Sequence, residues 1–307
     1  MTPSDAIPDS AGRAQSMAAA RKVARPFYWS VRREVWEHRA IYMAPLIVAA
    51  LAVCAFMIGF VRWHDEIRAM SAFELAKRRD LTIVPFGFAA AAILLTGVIV
   101  GVFYCLDALN AERRDRSILF WKSMPVSDLT TVLSKAAIPV AVLPAVVLVV
   151  ALLAQAIMLV LSIAVLLANG VSPARFWSAS QWLQMPVILI YGLAVHALWY
   201  LPVYAWLLVV SAWAKRAPFL WAVLPFFAGF VLERIAFGTS RLFALFKYRL
   251  FGGMTEAFAA STHGPITQLS QLEPIRFLSA PGLWLGLAVA AVLLAVAVRL
   301  RRYRDPM

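Results

Sequence analysis

Between residues 107 and 135 the chain sets charge, apolar surface and a helix break in an order suited to docking. Glu112 to Arg116 is a charged run, and Ile118 to Trp121 is an apolar patch. Met124-Pro125-Val126 then breaks the chain, and Ser127 is suited to cap a helix that runs on through Leu129, Val132 and Leu133. A short helix with one apolar face and charged flanks is suited to seat against another protein. The candidate contact residues are Glu112, Arg113, Phe120, Trp121, Met124, Pro125, Val126 and Ser127. The plain alternative is an ordinary connector.

Two other groupings could carry chemistry. His196, Tyr200 and Tyr204 recur at four-residue spacing, so all three share one helix face. Inside an apolar run such a stripe must face protein or a cavity, which makes the three candidate cavity-lining residues. The alternative is a histidine satisfied by a neighbouring helix, with the tyrosines as anchors. Glu233 and Arg234 close another apolar run. They are candidates for an outer gate or ion pair, or else mark a helix end at the headgroups. Asp107 and Asn110 read as caps or loop contacts. No His, Cys, Asp and Glu fall in ligand spacing and no Ser/His/Asp arrangement stands out, so neither a metal nor a catalytic residue is expected. Cys54 and Cys105 lie inside apolar runs and read as small hydrophobes. The phosphate-cradling pattern Gly-x4-Gly-Lys-Ser/Thr is missing from the sequence, so no nucleotide site is expected in this chain.

The elements that hold these residues are set by composition. Of 307 residues, 63% are hydrophobic and 15% charged, against about half and a quarter in soluble domains. Much of the chain must face lipid. The net charge of +13 is gathered between apolar runs and at the ends, which argues against a nucleic-acid surface. A crossing takes about 20 mostly apolar residues. Six runs qualify, over about 40–61, 81–106, 136–168, 185–210, 217–237 and 281–298. The third should bend near Pro139 and Pro144 and stop at Asn169-Gly170. The fold class is therefore all-α, a polytopic membrane protein with six transmembrane helices in one domain over 26–307.

Outside the spans, residues 1–25 read as a flexible cytoplasmic tail without a secretory signal. Pro26 to Arg39 reads as an amphipathic interfacial helix. Phe27, Val31 and Val35 fall on one side of it, and Arg25, Arg32, Arg33 and Arg39 lie near anionic lipid heads. Residues 62–80 should form a short outer helix. Residues 233–280 mix aromatics with Arg241, Lys247 and Arg249, which suits short amphipathic or re-entrant helices before the last span. Most of the 29 Lys and Arg residues lie in stretches that share a side with both termini, which places those ends in the cytoplasm. Lys77-Arg78-Arg79 falls on the other side.

Glu112-Arg113, Phe120, Ser123-Met124-Pro125-Val126-Ser127 and Leu133-Ser134-Lys135 resemble the first cytoplasmic loop of ABC type-2 permeases. The six spans, the interfacial helix and the short basic loop at Lys215-Arg216 fit the same family. The resemblance implies the membrane permease subunit of an ATP-driven exporter in a bacterial inner membrane. It implies that 107–135 carries a coupling helix seated on an ATPase. Partners would be two ABC ATPase subunits, a second permease copy and membrane lipids. ATP and Mg would be bound by the ATPase and no cofactor by this chain. Outside the resemblance, an ion-gradient carrier with His196 in a proton path, or a membrane scaffold, is the other reading. A membrane-embedded enzyme would need a polar cluster on facing helices.

Overall fold

The computed structural model describes residues 26–62, 72–115, 126–168, 179–259 and 268–303, together with 170, 172, 173 and 266. Six helical stretches in it are long and apolar enough to cross a membrane. No β-strand occurs among the described residues, and one isolated bridge pairs Phe258 with Leu272. The chain is a multi-pass membrane protein.

Helix α1 (Pro26–Glu37) leads into α2 (Ala40–Arg62), the first apolar helix. Pro26 occupies the first helical position, where a missing N–H costs nothing. The helix ends two residues short of the end of the interfacial segment predicted over 26–39. The second apolar helix, α3 (Ala72–Ala108), begins nine residues before the predicted span at 81. Residues 72–80 are thus its first turns and not a separate outer helix; residues 63–71 lie outside the described set, as does the predicted tail 1–25. A five-residue helix, α4 (Asn110–Arg114), follows at once.

The third crossing starts earlier than the apolar run. Helix α5 (Asp128–Ala137) passes through a π-helical turn (Ile138–Val142) into α6 (Leu143–Ala168). Pro139 sits in the π turn and Pro144 just after it, and each lacks the N–H that a regular turn would use. Ser127 caps α5 as predicted, its hydroxyl oxygen accepting from Thr130 N at 3.1 Å. The chain leaves α6 at Gly170, whose φ of +71° favours glycine.

Helix α7 (Ala179–Trp213) overruns the predicted 185–210 at both ends. A tight turn with exposed Lys215 and Arg216 leads to α8 (Pro218–Phe237), which runs through Glu233-Arg234 to a C-terminal Gly238 at φ +63°. The stretch before the last crossing holds α9 (Arg241–Ala257), a 3-10 turn (Leu269–Gln271) and α10 (Pro274–Ser279). The last helix, α11 (Pro281–Tyr303), continues past the predicted 298 and carries Arg301 within it.

Packing centres on α7, which lies along α11 and also touches α3, α6 and α9, while α2, α3 and α6 pack on one another. Trp199 and Tyr204 of α7 are fully buried at this centre. Gly97 and Gly101 of α3 let neighbours approach closely: a Cβ on Gly97 would lie 2.7 Å from Val147, and one on Gly101 3.3 Å from both Leu143 and Tyr204. Helix α8 turns Phe219, Leu220, Leu224, Phe227, Leu232 and Ile235 outward. Outward apolar side chains suit a lipid solvent, since only backbone groups must be satisfied within the helix.

Candidate functional site: a buried ion network at one end of the bundle

At the end of the molecule shared by α1, α4, α5 and the tail of α11, charged side chains from all four elements form one connected network. Its centre is Lys135 in α5, which is 2% exposed. Its ammonium donates to Glu34 Oε1 at 2.8 Å and lies 3.1 Å from Glu112 Oε1. Glu34, fully buried in α1, also accepts from Arg33 at 2.8 Å through Oε1 and from the Tyr104 hydroxyl at 2.8 Å through Oε2. Arg33 reaches Glu112 Oε1 at 3.4 Å. Arg301 of α11 donates through Nη1 to Glu112 Oε2 and through Nε to Asp128 Oδ1 at 3.0 Å.

In the network Glu34, Glu112 and Asp128 face Arg33, Lys135 and Arg301, and half-exposed Glu37 lies 3.5 Å from Arg33 at its edge. Burial alone would push the Glu34 carboxyl up, but Lys135, Arg33 and the Tyr104 hydroxyl outweigh it and hold it down to about 2. An ion cluster buried in this way is weak evidence for stability, because desolvation consumes most of the attraction. Its physical content is geometric: removing any one member leaves a buried charge unmatched, so the four elements stay in one register.

A second set of bonds ties the α3–α4 junction to the end of α7. The Ser211 hydroxyl accepts from Leu109 N and Asn110 N, both at 3.0 Å. Asn110 Nδ2 and Arg113 Nη2 both donate to Ala214 O at 2.7 Å, and Arg113 Nη2 also donates to Ser211 O at 2.9 Å. A cation on carbonyls at the end of a helix is the favourable end of its dipole. Asn110 thus binds the end of α7, while Asp107 is exposed and 3.9 Å from Arg114.

Of the candidate docking residues, Glu112 and Arg113 are buried in these contacts, 7% and 3% exposed. Val126 is half-buried and Ser127 exposed. Phe120, Trp121, Met124 and Pro125 lie outside the described residues. Glu34, Lys135 and Arg301 were not singled out as site residues from sequence, although Lys135 belongs to the quoted Ser134-Lys135 pair. The available signal at Glu34 was an acid set between Val31 and Val35 on the apolar side of its helix. Glu34, Glu37 and His38 bring ligand-type atoms within 4.8 Å of one another. The Glu34 oxygens are already engaged by Lys135, Arg33 and Tyr104, so the trio does not make a free ligand set.

His196, Tyr200 and Tyr204 do come together, deep in α7. His196 Nε2 lies 2.9 Å from the Tyr204 hydroxyl, and its ring stacks on Tyr200 with centroids 4.5 Å apart. The Tyr200 hydroxyl donates to Leu250 O of α9. Arg249, next to it, donates to Trp199 O and to Gly282 O, and lies over the Trp199 ring at 4.7 Å. No carboxylate comes within 4.0 Å of Arg249 among the described residues.

Glu233 and Arg234 are not paired with each other. Glu233 Oε1 accepts from Thr239 Oγ1 and Arg241 N, both at 2.6 Å, and Oε2 accepts from Leu242 N at 2.8 Å. The carboxylate thereby caps the first turn of α9 across the turn from α8. Arg234 donates to Gly238 O at 2.9 Å, at its own helix end.

Compared with protein-family models, with curated proteins and with solved structures, the chain matches none of them.

Proposed function

We propose that this chain is the membrane permease subunit of an ATP-driven exporter of the ABC type-2 kind. The observation that carries the reading is the buried network of Lys135, Glu34, Glu112 and Arg301. It joins four elements, two of which, α4 and α5, belong to the 112–128 stretch that the sequence marks for docking or adjoin it. Glu112 and Arg113 then serve to position the segment, and the surface offered to a partner comes from Phe120, Trp121, Met124, Pro125, Val126 and Ser127. Both termini and the network lie on the cytoplasmic side of a bacterial inner membrane, and α1 lies in the inner interface. Two copies form the pathway, each seated on one copy of a separate ATPase that binds ATP and Mg.

Displacing the segment on its own would separate buried charges, and breaking such a pair costs about 3–5 kcal/mol. A push from a closing ATPase pair is therefore passed to α1, α4, α5 and α11 together, as a rigid-body movement. The chain itself needs no catalytic group in this account.

The test is made on the chain purified with its ATPase. Phe120→Asp and Trp121→Asp should leave the membrane subunit folded but abolish its effect on ATP hydrolysis and stop export. Retention of assembly, stimulated hydrolysis and transport in both variants would remove the docking assignment. Full transport driven by an ion gradient with no ATPase present would replace it with the carrier reading.

A further inference from the structure

The geometry points to a binding site on α1 for the headgroup of an anionic phospholipid, built from Arg32, Trp29 and Trp36. The Arg32 guanidinium lies over both indole rings, 5.1 Å from the Trp29 centroid and 4.4 Å from that of Trp36. Residues 29, 32 and 36 fall at helical spacing on one stripe, so the three side chains stack along the helix surface. Arg32 makes no hydrogen bond and no ion pair with any described residue. Its neighbour Arg33 is committed to Glu34, Glu37 and Glu112.

The two ring contacts use none of the guanidinium's N–H donors as hydrogen bonds. Its five N–H donors have the fork geometry that matches two oxygens of a phosphate. The indoles thus hold the donor at the helix surface without using it up. Around it the helix exposes aromatic surface: Phe27 is 46% exposed, Tyr28 54%, Trp29 56% and Trp36 63%. Four large aromatics beside the start of an apolar helix make the surface that settles at a bilayer's headgroup level. Exposed Arg39, at the junction with α2, adds a second cation nearby. The opposite face of α1 is filled by the ion network. A cation with free donors among interfacial aromatics is complementary to a lipid that carries net negative charge, and less so to a zwitterionic one whose own ammonium neutralises its phosphate.

This inference rests on the interfacial placement of α1 proposed above, and the experiment separates the two. The full chain is placed in nanodiscs of phosphatidylcholine alone, and in discs with about a quarter phosphatidylglycerol; backbone amide exchange is then followed over residues 30–37. Protection of α1 in phosphatidylcholine tests the placement; the added effect of phosphatidylglycerol tests the site. The anionic lipid should slow exchange about fivefold in the unaltered chain and leave Arg32→Gln unchanged, with Arg32→Lys in between. Exchange over α11 should be the same in every arm, since Arg32 makes no hydrogen bond or ion pair to the network. Equal exchange in both disc types, or an undiminished lipid response in Arg32→Gln, overturns the site. So does equal protection by inorganic phosphate added to phosphatidylcholine discs, which would show a site for the free anion.

Discussion

Replacing Lys135 with methionine is the most informative single perturbation of the charged end. Methionine fills much of the lysine volume, so packing changes little while the charge is lost. The ammonium is 2% exposed and sits between Glu34 at 2.8 Å and Glu112 at 3.1 Å. Without it, Glu34 and Glu112 lose the cation between them, and negative charge is left short of a partner in a place that water does not reach. Breaking one partner of a buried pair costs about 3–5 kcal/mol. At about 2 °C per kcal/mol for a chain of this size, the midpoint should fall by roughly 6–10 °C. The assay is thermal unfolding in detergent followed by tryptophan emission, at neutral pH. Glu34→Gln combined with Lys135→Met restores the balance, and the pair should fall short of the summed single losses by up to ~3 kcal/mol. A loss under about 1 kcal/mol for Lys135→Met, with independent addition in the double variant, would refute the idea of a linked network.

Three further outcomes follow from the same geometry. The Glu34 carboxyl is held down to about 2 from an ordinary 4.5, so its contribution is complete above 4.5 and is lost as pH falls from there toward 2; unfolding midpoints of the unaltered chain should drop over that window, and those of Glu34→Gln should drop less. Glu233→Gln weakens the cap on α9, so the amides of Arg241 and Leu242 should exchange faster while the α7 amides do not change. Gly286→Leu should eject Arg249, because a Cβ there would stand 2.4 Å from Nη1; exchange over α9 should rise, while Gly59→Leu, where a Cβ meets nothing within 4 Å, should leave it unaltered.

The helices were legible because lipid imposes a one-dimensional rule: about 20 apolar residues in a row. That rule finds all six crossings but misplaces ends, because a helix does not stop where apolarity stops. Helix α3 starts in the charged stretch around Lys77, and α11 runs on through Arg301, since charged side chains at a helix end do not disturb its backbone hydrogen bonds. Ser127 was readable because capping is local in sequence. The network was not readable as a unit. Glu34, Glu112, Lys135 and Arg301 lie up to 267 positions apart in numbering, and each alone looks like a solvated charge beside a span. Only tertiary packing decides that Lys135 points inward while Lys215 remains in the open. Arg249 shows the same limit. Its spacing fits an exposed amphipathic face, yet the glycine at 286 makes a notch that admits it between α7 and α11.

The central claim is that the segment between α4 and α5 touches an ATP-hydrolysing partner on the cytoplasmic side. A photo-activated cross-linking residue placed at Phe120, in inside-out membrane vesicles, tests it most directly. The account predicts a covalent adduct with a polypeptide that hydrolyses ATP, lost when the same residue is placed at Ile275 near the opposite end. Adducts only within this chain, or an adduct formed only with reagents confined to the external face, would contradict it.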